Sequence, residues 1–370
     1  MGLYSLFDYE RQAKETLNKT AWEYINYGRE RKWCFHDSIQ AFSRYRIRSR
    51  VLQDVSKRCL ATTVLGQSIP YPICISPTAS HYYAHPDAER ATAKGAEAAK
   101  ALMILSCDAT CSMDDVTEAA PEGLRWMNIY PFADRQLTEY TIRKAEKLGF
   151  KAIVVTVDSP VPGIDGAVDE LLYGVTDPLH RMPIYDVDIP SARAADQTNM
   201  TNHWKYVDEQ LFNPKATWED IRWMKKITSL PIVCKGILTA ESASDAARAG
   251  VDGILVSAHG GRQLESSPAP IDALSEVVEA VRDQGIEVYM DGGVRTGTDV
   301  FKALGRGARA VFLGRPILWG LACQGPAGVK EILDILRKQL DTILALAGCT
   351  SPNDIPQGTI VHESYYHKPR

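Results

Sequence analysis

Short runs of apolar residues recur along the chain at regular intervals. They lie at 72–77 (PICISP), 103–107 (MILSC), 126–131 (WMNIYP), 152–158 (AIVVTVD), 231–236 (PIVCKG), 253–258 (GILVSA), 287–292 (EVYMDG) and 310–315 (AVFLGR). Continuous apolarity, rather than alternation of apolar and polar residues, is typical of strands that are buried on both faces. The pattern therefore predicts eight buried strands.

Segments of helical period separate these strands. Two apolar faces comprise Leu137, Thr141, Ala145 and Leu148, and Ile271, Leu274, Val278 and Val281. Thr239 and Thr296 are predicted to cap the starts of two further helices, which end at Gly250 and near Gly305 or Gly307. Eight alternating β and α units predict an α/β fold, a closed (β/α)8 TIM barrel. An open doubly wound sheet is the alternative, but it would carry a phosphate-binding glycine fingerprint after the first strand, where the chain reads PICISPTAS.

The rest of the chain decorates this barrel, and we expect one domain over residues 1–370. Residues 1–65 are predicted to form a helical extension, most amphipathic over 7–27, ahead of a barrel over 66–349 and a tail over 350–370. Residues 160–215, rich in Pro, Gly, Asp and Asn, form a long insertion after the fourth strand. An insertion of that length at the carboxyl end of a strand predicts a lid over an active site.

Composition excludes several classes of protein. With 45% hydrophobic and 24% charged residues, the chain is typical of a soluble globular protein. A net charge of −4 gives no electrostatic case for nucleic acid. No apolar run is long enough to span a membrane, and the charged N-terminus does not resemble a signal peptide. The alternating arginines Arg44, Arg46, Arg48 and Arg50 are expected to line the solvated or salt-bridged edge of a strand.

The cysteines indicate a reducing compartment. All eight are scattered, without a C-x-x-C pair or a histidine at zinc-finger spacing, so no metal site is predicted. The chain ends in His-Lys-Pro-Arg, which is not a recognisable peroxisomal address. We therefore expect either a peroxisomal or a cytoplasmic protein.

The candidate chemistry begins at the sixth predicted strand, which ends in S-A-H-G-G-R-Q-L. A histidine with a pKa near neutrality beside a permanently charged guanidinium suits removal of a proton from a substrate held by its carboxylate. His259 and Arg262 are thus a candidate base and anchor. Taken alone, the same residues could form a strand-end loop whose histidine only binds backbone groups.

The other strand ends also carry polar or glycine residues, and the carboxyl ends of the strands are where the reactive groups of such barrels gather. The last two ends read D-G-G-V-R and L-G-R, which place glycine amides and two arginines where these barrels commonly bind phosphate. A phosphate there, polar groups on strands two to four and Lys235 on strand five suggest flavin mononucleotide (FMN).

From residue 9 to residue 349 the chain resembles the FMN-dependent 2-hydroxy acid oxidases and dehydrogenases, with glycolate oxidase and the animal 2-hydroxy acid oxidases as the most similar members. The stretches that carry this resemblance are SAHGGRQL, DGGVRTGTDVFKAL, TVDSP, ISPTA and AFSRYRIRSRVLQDVS. It implies oxidation of an L-2-hydroxy acid to a 2-oxo acid, with O2 reduced to H2O2. It also implies a homotetramer or a higher assembly.

The resemblance implies a role for each candidate residue. His259 would be the base, held by Asp158; Lys235 would stabilise negative charge on the reduced flavin; and Tyr130 would bind the reacting hydroxyl. Tyr24 and Arg262 would bind the substrate carboxylate. The residues expected to contact FMN are Pro77, Thr78, Ala79, Ser106, Asn128, Thr156, Lys235 and Ser257 around the ring, and Asp291, Gly293, Arg295, Gly314 and Arg315 around the ribityl phosphate.

The chain departs from the family at four positions. Asp108 stands in place of a bulky aromatic residue, Asp165 with Ile164 in place of a lid arginine pair, Asn128 in place of glutamine and Ala258 in place of asparagine. Three explanations of the two carboxylates stay open. The substrate carries a cation or hydroxyls that they bind; Asp165 points to solvent and leaves only Asp108 in the pocket; or the usual activity has been lost while the flavin is retained.

Two alternatives to an oxidase also stay open. One is an FMN enzyme of changed chemistry, acting on another acid or decarboxylating its substrate. The other is a flavin-binding protein without hydroxy acid oxidase activity. Substitution of His259 distinguishes them, because it should abolish reduction of the flavin by substrate and leave flavin binding intact.

Overall fold

The computed structural model describes residues 2–161, 163, 182–185, 187, 189 and 212–367, and the statements below concern these residues. Asp165 and most of the predicted lid lie outside them. The strands are β1 (Tyr45–Ile47), β2 (Thr62–Val64), β3 (Gln67–Ile69), β4 (Ile73–Ile75), β5 (Met103–Leu105), β6 (Arg125–Ile129), β7 (Ile153–Thr156), β8 (Ile232–Ile237), β9 (Gly253–Val256), β10 (Glu287–Asp291), β11 (Val311–Leu313) and β12 (Ile360–His362).

Helices connect and surround these strands. They are α1 (Leu6–Thr16), α2 (Lys19–Ile25), α3 (Trp33–Gln40), α4 (Ala88–Ala99), α5 (Met113–Ala119), α6 (Arg135–Lys147), α7 (Trp218–Ile227), α8 (Ala240–Ala249), α9 (Pro270–Ala280), α10 (Gly297–Gly305) and α11 (Arg315–Ala347). The hydroxyls of Thr239 and Thr296 cap α8 and α10, as predicted, and Gly250 ends α8 in the left-handed conformation. Within the described part of the chain, no helix is long and apolar enough to cross a membrane.

Strands β4 to β11 close into a barrel in the order β10-β11-β4-β5-β6-β7-β8-β9, and all of its paired neighbours run parallel. The predicted (β/α)8 barrel is confirmed, and the open doubly wound sheet is wrong. Each of the eight apolar runs overlaps one barrel strand. The barrel strands could be predicted from the sequence because a strand buried on both faces is a nearly continuous apolar run with few polar residues to interrupt the pattern.

One apolar layer of the barrel interior is formed by one inward-pointing residue from each strand. This layer comprises Cys74, Ile104, Trp126, Val154, Val233, Leu255, Tyr289 and Phe312, each at most 1% exposed. The rings of Trp126, Tyr289 and Phe312 pack together with centroids 5.6–5.9 Å apart. The hairpin β2–β3 adds Val64 and Ile69 to the same cluster. The layer therefore forms a closed apolar floor under the carboxyl end of the barrel.

Outside the barrel, a short strand of the predicted N-terminal extension pairs with a short strand of the predicted tail, and neither strand was predicted. β1 pairs antiparallel with β12. Arg46 on β1 forms an ion pair with Glu363, and Arg44 bridges Asp37 and Asp272. The predicted salt-bridged edge is confirmed for Arg44 and Arg46, whereas Arg48 and Arg50 bind the carbonyl of Gly358 and the side chain of Gln53. The pairing with β12 could not be predicted, because the partners are more than 300 residues apart.

Candidate active site

The candidate site is the next layer of inward-pointing residues above the apolar floor. Because successive side chains alternate across a strand, the residue two positions beyond each floor residue also points into the barrel. Those residues are Ser76, Ser106, Asn128, Thr156, Lys235, Ser257, Asp291 and Gly314. Every strand thus changes from apolar to polar or glycine at the same height, and all of these residues except Ser257 line one cavity.

The cavity brings together most of the predicted site residues. It is lined by Tyr24, Pro77, Thr78, Ala79, Ser106, Asp108, Asn128, Tyr130, Thr156, Lys235, His259, Arg262, Asp291, Gly293, Arg295, Gly314 and Arg315. Asp158 and Ser257 lie behind His259 instead and bind it through hydrogen bonds. Sequence reasoning missed Phe35, Ser76, Phe212 and Gln263, which also line the cavity. Of these, only Ser76 carries a signal in the sequence, namely its position two residues after Cys74.

His259 and Asp158 form a hydrogen-bonded pair at one end of the cavity. The Nδ1 atom of His259 lies 2.9 Å from Asp158 Oδ1 and 3.4 Å from the hydroxyl of Ser159. The main-chain NH of His259 donates to the hydroxyl of Ser257 at 3.1 Å. These contacts leave Nε2 as the imidazole nitrogen that can take a proton from a ligand in the cavity.

Burial and charge set the protonation of this pair. Burial, followed by the positive charge of Lys235, lowers the pKa of His259 below its ordinary value, although Asp158 opposes the shift. Burial would raise the pKa of Asp158, but His259, Lys235 and Ser159 together bring it below the ordinary value of an aspartate. The pair is therefore a neutral imidazole beside a carboxylate at neutral pH, which is the state of a general base.

The turn that carries His259 requires its two glycines. His259, Gly260 and Gly261 have φ angles of 52°, 63° and 73°, in the left-handed region. A Cβ on Gly261 would lie 2.6 Å from the main-chain nitrogen of Phe35, and one on Gly260 would lie 2.6 Å from Arg315. The left-handed conformation is costly for His259, which unlike the two glycines has a Cβ, and such strain is common where a structure holds a functional side chain in a fixed position.

Arg262 reaches the cavity from the same turn and is held by the N-terminal helices. Its guanidinium donates to the main-chain carbonyl of Tyr24 at 2.9 Å and lies over the rings of Tyr24 and Tyr27, 5.0 and 5.3 Å from their centroids. Stacking of this kind fixes the plane of the guanidinium and leaves its remaining N–H groups for a carboxylate.

Tyr24 and Tyr130 complete this end of the cavity together with Asp108. Burial is the main cause that raises the pKa of both hydroxyls, and the carboxylate of Asp108 raises it further. Both tyrosines thus remain protonated and can donate hydrogen bonds. Phe212 packs against Tyr130 with ring centroids 4.7 Å apart.

Two arginines mark the opposite end of the cavity. Arg295 lies over the ring of Trp319 and Arg315 over that of Phe35, at 4.9 and 4.5 Å from the centroids. Burial lowers the pKa of Arg295 to about 10, and burial with the nearby charges of Arg262 and Arg295 lowers that of Arg315. Among the described residues, neither guanidinium forms an ion pair with a carboxylate.

The backbone around these arginines suits an anion. Gly314 precedes the first turn of α11, where free NH groups and the helix dipole favour negative charge. Gly293 has φ +77°, and a Cβ there would lie 1.9 Å from the carbonyl oxygen of Ser38, so glycine is required. Asp291 accepts from Ser76 at 2.6 Å through Oδ2, while its buried Oδ1 has no partner among the described residues. These groups fit a phosphate and a hydroxyl-bearing chain, as in FMN.

Polar groups between the two ends are arranged for a flat ring. Asn128 Nδ2 donates to Thr156 Oγ1 at 2.8 Å and to the carbonyl of Val154 at 3.0 Å. Its amide nitrogen is therefore held by the barrel wall. Lys235 on β8 is only 3% exposed and lies beside Thr156 of strand β7. Its charge acts on His259. A base at one end of a barrel mouth and an anion site at the other are typical of barrels that hold a phosphate-bearing cofactor.

Comparison with known proteins identifies the family. The sequence model of the FMN-dependent dehydrogenases matches residues 13–362. The chain is 45% identical to 2-hydroxyacid oxidase 2 of Bos taurus, over 97% of this chain and 99% of that protein. It is 44% identical to 2-hydroxyacid oxidase 1 of Homo sapiens, over 94% and 93%. Among solved structures, a mutant flavocytochrome b2 with pyruvate bound aligns with a TM-score of 0.85 and 32% identity, over 100% of this chain and 89% of that one. The chain belongs to the FMN-dependent dehydrogenase family, and its cofactor is FMN.

Proposed function

We propose that this protein oxidises an L-2-hydroxy acid to the corresponding 2-oxo acid and passes the electrons to O2. The substrate loses two electrons and two protons, and O2 gains both to give H2O2. The observation that carries the proposal is the His259–Asp158 pair beside Arg262, in the same cavity as the anion site of Arg295 and Arg315. The names of the relatives, which are 2-hydroxyacid oxidases, support oxygen as the acceptor.

The residues near the base have separate proposed roles toward the substrate. Arg262 and Tyr24 bind the substrate carboxylate, and Tyr130 donates a hydrogen bond to the hydroxyl that becomes the ketone. His259 takes a proton through Nε2, and Asp158 stabilises the imidazolium that forms. The position of Asp158 on Nδ1 supports this assignment, because it leaves Nε2 free to face the cavity.

FMN supplies the acceptor for the two electrons when it is bound. Lys235 would stabilise negative charge on the reduced ring. Its other proposed contacts are Pro77, Thr78, Ala79, Ser106, Asn128, Thr156 and Ser257 around the ring, and Asp291, Gly293, Arg295, Gly314 and Arg315 around the ribityl phosphate. We further propose one domain over residues 1–370, a homotetramer or higher assembly, and a peroxisomal or cytoplasmic location.

The first experiment is anaerobic mixing of the purified holoprotein with a panel of 2-hydroxy acids, followed by the absorbance of oxidised flavin. The panel runs from glycolate and lactate to long-chain, aromatic, hydroxylated and cationic acids. We expect one class to bleach the flavin and admission of air to restore it with formation of H2O2. Bleaching that air does not reverse would rule out oxygen as the acceptor.

His259→Gln tests the base directly. We expect the variant to bind FMN normally and to lose flavin reduction by about 10²–10⁴-fold, the usual contribution of a general base. Loss of FMN binding would instead give the histidine a structural role. Equal reduction rates in the variant and the parent would exclude His259 as the base and favour a changed chemistry.

A further inference from the structure

We infer that His81 is a positioning residue for the cofactor, which holds the hydroxyl of Thr78 at the wall of the cavity and presents it to bound FMN as a hydrogen-bond donor. The inference concerns how FMN is bound. It therefore goes beyond the proposed oxidation and does not depend on which acid is oxidised.

Thr78 is the link between His81 and the cavity. It lies in the loop that follows β4, is half-buried and lines the cavity itself. Its methyl carbon lies 3.5 Å from the position that a Cβ on Gly314 would take, so it borders the ends of β4 and β11. His81 lies behind this loop, is 1% exposed and is not among the described residues that line the cavity. It therefore acts on a ligand there through Thr78.

The imidazole of His81 lies between two threonine hydroxyls. Nε2 is 2.6 Å from Thr78 Oγ1, and Nδ1 is 2.8 Å from Oγ1 of Thr92 on α4. Thr92 is 0% exposed, whereas Thr78 faces the cavity. Hydrogen bonds at both ring nitrogens fix the orientation of the imidazole.

A buried carboxylate holds the main chain of His81. Glu89 on α4, also 0% exposed, accepts from the NH of His81 at 2.9 Å through Oε1. Its Oε2 accepts from the hydroxyl of Thr110 at 2.9 Å and from the NH of Cys111 at 3.0 Å. The imidazole therefore cannot move away from Thr78 without breaking several buried hydrogen bonds.

The ring of His81 is uncharged at neutral pH. Burial lowers the pKa of His81, and the charge of Glu89 and the main chain of Thr78 oppose this shift only in part. A neutral imidazole carries one N–H group and one lone pair. It therefore donates to one of the two threonines and accepts from the other.

The burial of Thr92 decides which ring nitrogen carries the hydrogen. Within the described part of the chain, Nδ1 of His81 is the one partner of the Thr92 hydroxyl. If Nδ1 carried the hydrogen, the hydroxyl hydrogen of Thr92 would be buried without an acceptor, which is costly. Thr92 therefore donates to Nδ1, and the N–H at Nε2 donates to Thr78. Because Thr78 Oγ1 accepts that bond, its own hydrogen points away from His81 and toward the cavity.

A hydroxyl oriented in this way suits an oxygen or nitrogen acceptor of FMN. Its direction is fixed before the ligand arrives, so little conformational freedom is lost on binding. The successive hydrogen bonds from Thr92 through His81 to Thr78 also polarise one another, which strengthens the last bond in the series. Both the flavin ring and the ribityl phosphate carry such acceptors.

A double-mutant cycle tests whether His81 acts through Thr78. Thr78→Val removes the hydroxyl and keeps the shape of the side chain. His81→Asn keeps a polar group for Thr92 but is too short to reach Thr78. We expect each variant to bind FMN about 3- to 10-fold more weakly than the parent when the apoprotein is titrated and flavin fluorescence is followed. The double variant should lose no more affinity than Thr78→Val alone, because both changes remove the same hydrogen bond.

Two further variants separate positioning from a purely structural role. His81→Gln places an amide N–H near the position of Nε2 and should recover most of the affinity for FMN that His81→Asn loses. Thr141→Val is the matched control, because it removes a buried hydroxyl on α6 that donates to the carbonyl of Leu137 and does not line the cavity. It should leave the Kd for FMN unchanged.

The midpoint potential of the bound flavin distinguishes the two kinds of acceptor. A bond to the ring strengthens as the ring gains negative charge on reduction. Its loss in Thr78→Val should then cost reduced FMN about 3- to 10-fold more affinity than oxidised FMN, which lowers the potential of this two-electron couple by about 15–30 mV. An unchanged potential with weaker binding assigns the bond to the ribityl phosphate instead, and either result supports the role of His81.

Other outcomes overturn this role. One is equal affinity for FMN in the parent and Thr78→Val, a result that stands even if His81→Asn does not fold. Another is a double variant in which the losses of the two single variants add, because His81 would then act independently of Thr78. None of these measurements uses a substrate, so their results are independent of whether the proposed oxidation is correct.

Discussion

At the scale of single residues, the behaviour of His259 is decided by opposing influences on one proton. Burial, Lys235 and Arg262 disfavour the imidazolium, whereas the charge and hydrogen bond of Asp158 favour it. The first group prevails, so the histidine is neutral and able to accept a proton at neutral pH. Asp158 then stabilises the charge as it forms, which is the moment at which stabilisation speeds a reaction.

The pH dependence of flavin reduction follows from this balance. A base must be deprotonated, so kcat/KM should rise with pH through the pKa of His259 in the free protein and stay level above it. Because that pKa is lowered, the midpoint should lie below the ordinary histidine value of about 6.5. Anaerobic stopped-flow measurements between pH 4.5 and 8 with a non-titrating side chain on the substrate would locate it.

Asp158→Asn should change both the midpoint and the plateau of the pH dependence of flavin reduction. Asp158 raises the pKa of His259, so its neutralisation should move the midpoint to still lower pH. The plateau rate should also fall, by about 10²–10⁴-fold, because the imidazolium loses its carboxylate partner. Ser159→Ala, which removes a hydroxyl 3.4 Å from His259 Nδ1 and 3.2 Å from Asp158 Oδ1 but leaves both members of the pair in place, is the control. A midpoint that moves upward would contradict the proposed role of Asp158.

Many individual site residues could be predicted from the sequence because they follow the floor residues at a spacing of two. The same spacing identifies Ser76, which was overlooked because serine in C-I-S-P offers no chemistry by itself. Phe212 could not be found, since it lies within the predicted insertion and reaches Tyr130 only through the fold. The buried Glu89 of α4 was also missed, because it lies in an ordinary helical sequence and two of the groups that it binds, on Thr110 and Cys111, are more than 20 residues away.

At the scale of elements, strand β8 shows how a backbone irregularity serves the site. The pairing of β8 with β9 shifts register between Lys235 and Ile237, and Gly236 at the shift has φ +108°. A Cβ on Gly236 would lie 2.5 Å from both Cβ and Cγ of Asp158. The bulge therefore makes room for the carboxylate that holds His259, and bulges of this kind are common beside active sites.

Gly236→Ala should displace Asp158 and lower the rate of flavin reduction on the order of 10²-fold, because small misplacements of catalytic groups are costly. Gly149→Ala is the matched control: Gly149 has φ +78°, but a Cβ added there would meet nothing within 4 Å. It should lose about 1–2 kcal/mol of stability from the left-handed backbone and keep its rate. Chemical denaturation of both variants measures the loss of stability from backbone strain, and stopped-flow reduction of the flavin measures the effect of displacing Asp158. Equal rates of flavin reduction in Gly236→Ala and Gly149→Ala would show that the bulge does not position the site.

Among the elements, prediction succeeded where a local pattern exists and failed where pairing is remote. The barrel strands are continuous apolar runs, and α8 and α10 begin and end at recognisable caps. Strands β1 and β12 are three residues long and pair with each other across most of the chain, so neither has a signal of its own. The division of residues 1–370 into extension, barrel, lid and tail stays a prediction.

At the scale of the whole molecule, FMN should contribute to stability through the groups that bind its phosphate. A ligand that binds only the folded state stabilises it by about 2.7 kcal/mol at 100 times its Kd. Removal of FMN should therefore lower the Tm. Riboflavin, which lacks the phosphate, should restore less of the loss than FMN at the same concentration, because it gives Arg295 and Arg315 no anion.

Thermal unfolding of the apoprotein with FMN or with riboflavin measures the difference in Tm between the two complexes. Arg295→Met should reduce this difference in Tm. The exposed Arg248→Met, far from the cavity and paired with Asp245, should leave the difference unchanged. If FMN and riboflavin restored the Tm equally, the anion site would have to lie elsewhere.

The N-terminal helices are held to the barrel by the same arginines that face the cavity. Arg315 donates to the carbonyl of Ile25 at 3.0 Å across 290 residues of sequence, and Arg262 donates to that of Tyr24 across 238. The barrel itself closes only when β11 enters between β10 and β4. During synthesis on the ribosome, the residues around Tyr24 therefore cannot form these hydrogen bonds until nearly the whole chain has been made. A partly synthesised chain lacks the complete phosphate-binding site. Binding of flavin therefore requires that translation has passed β11, the last barrel strand.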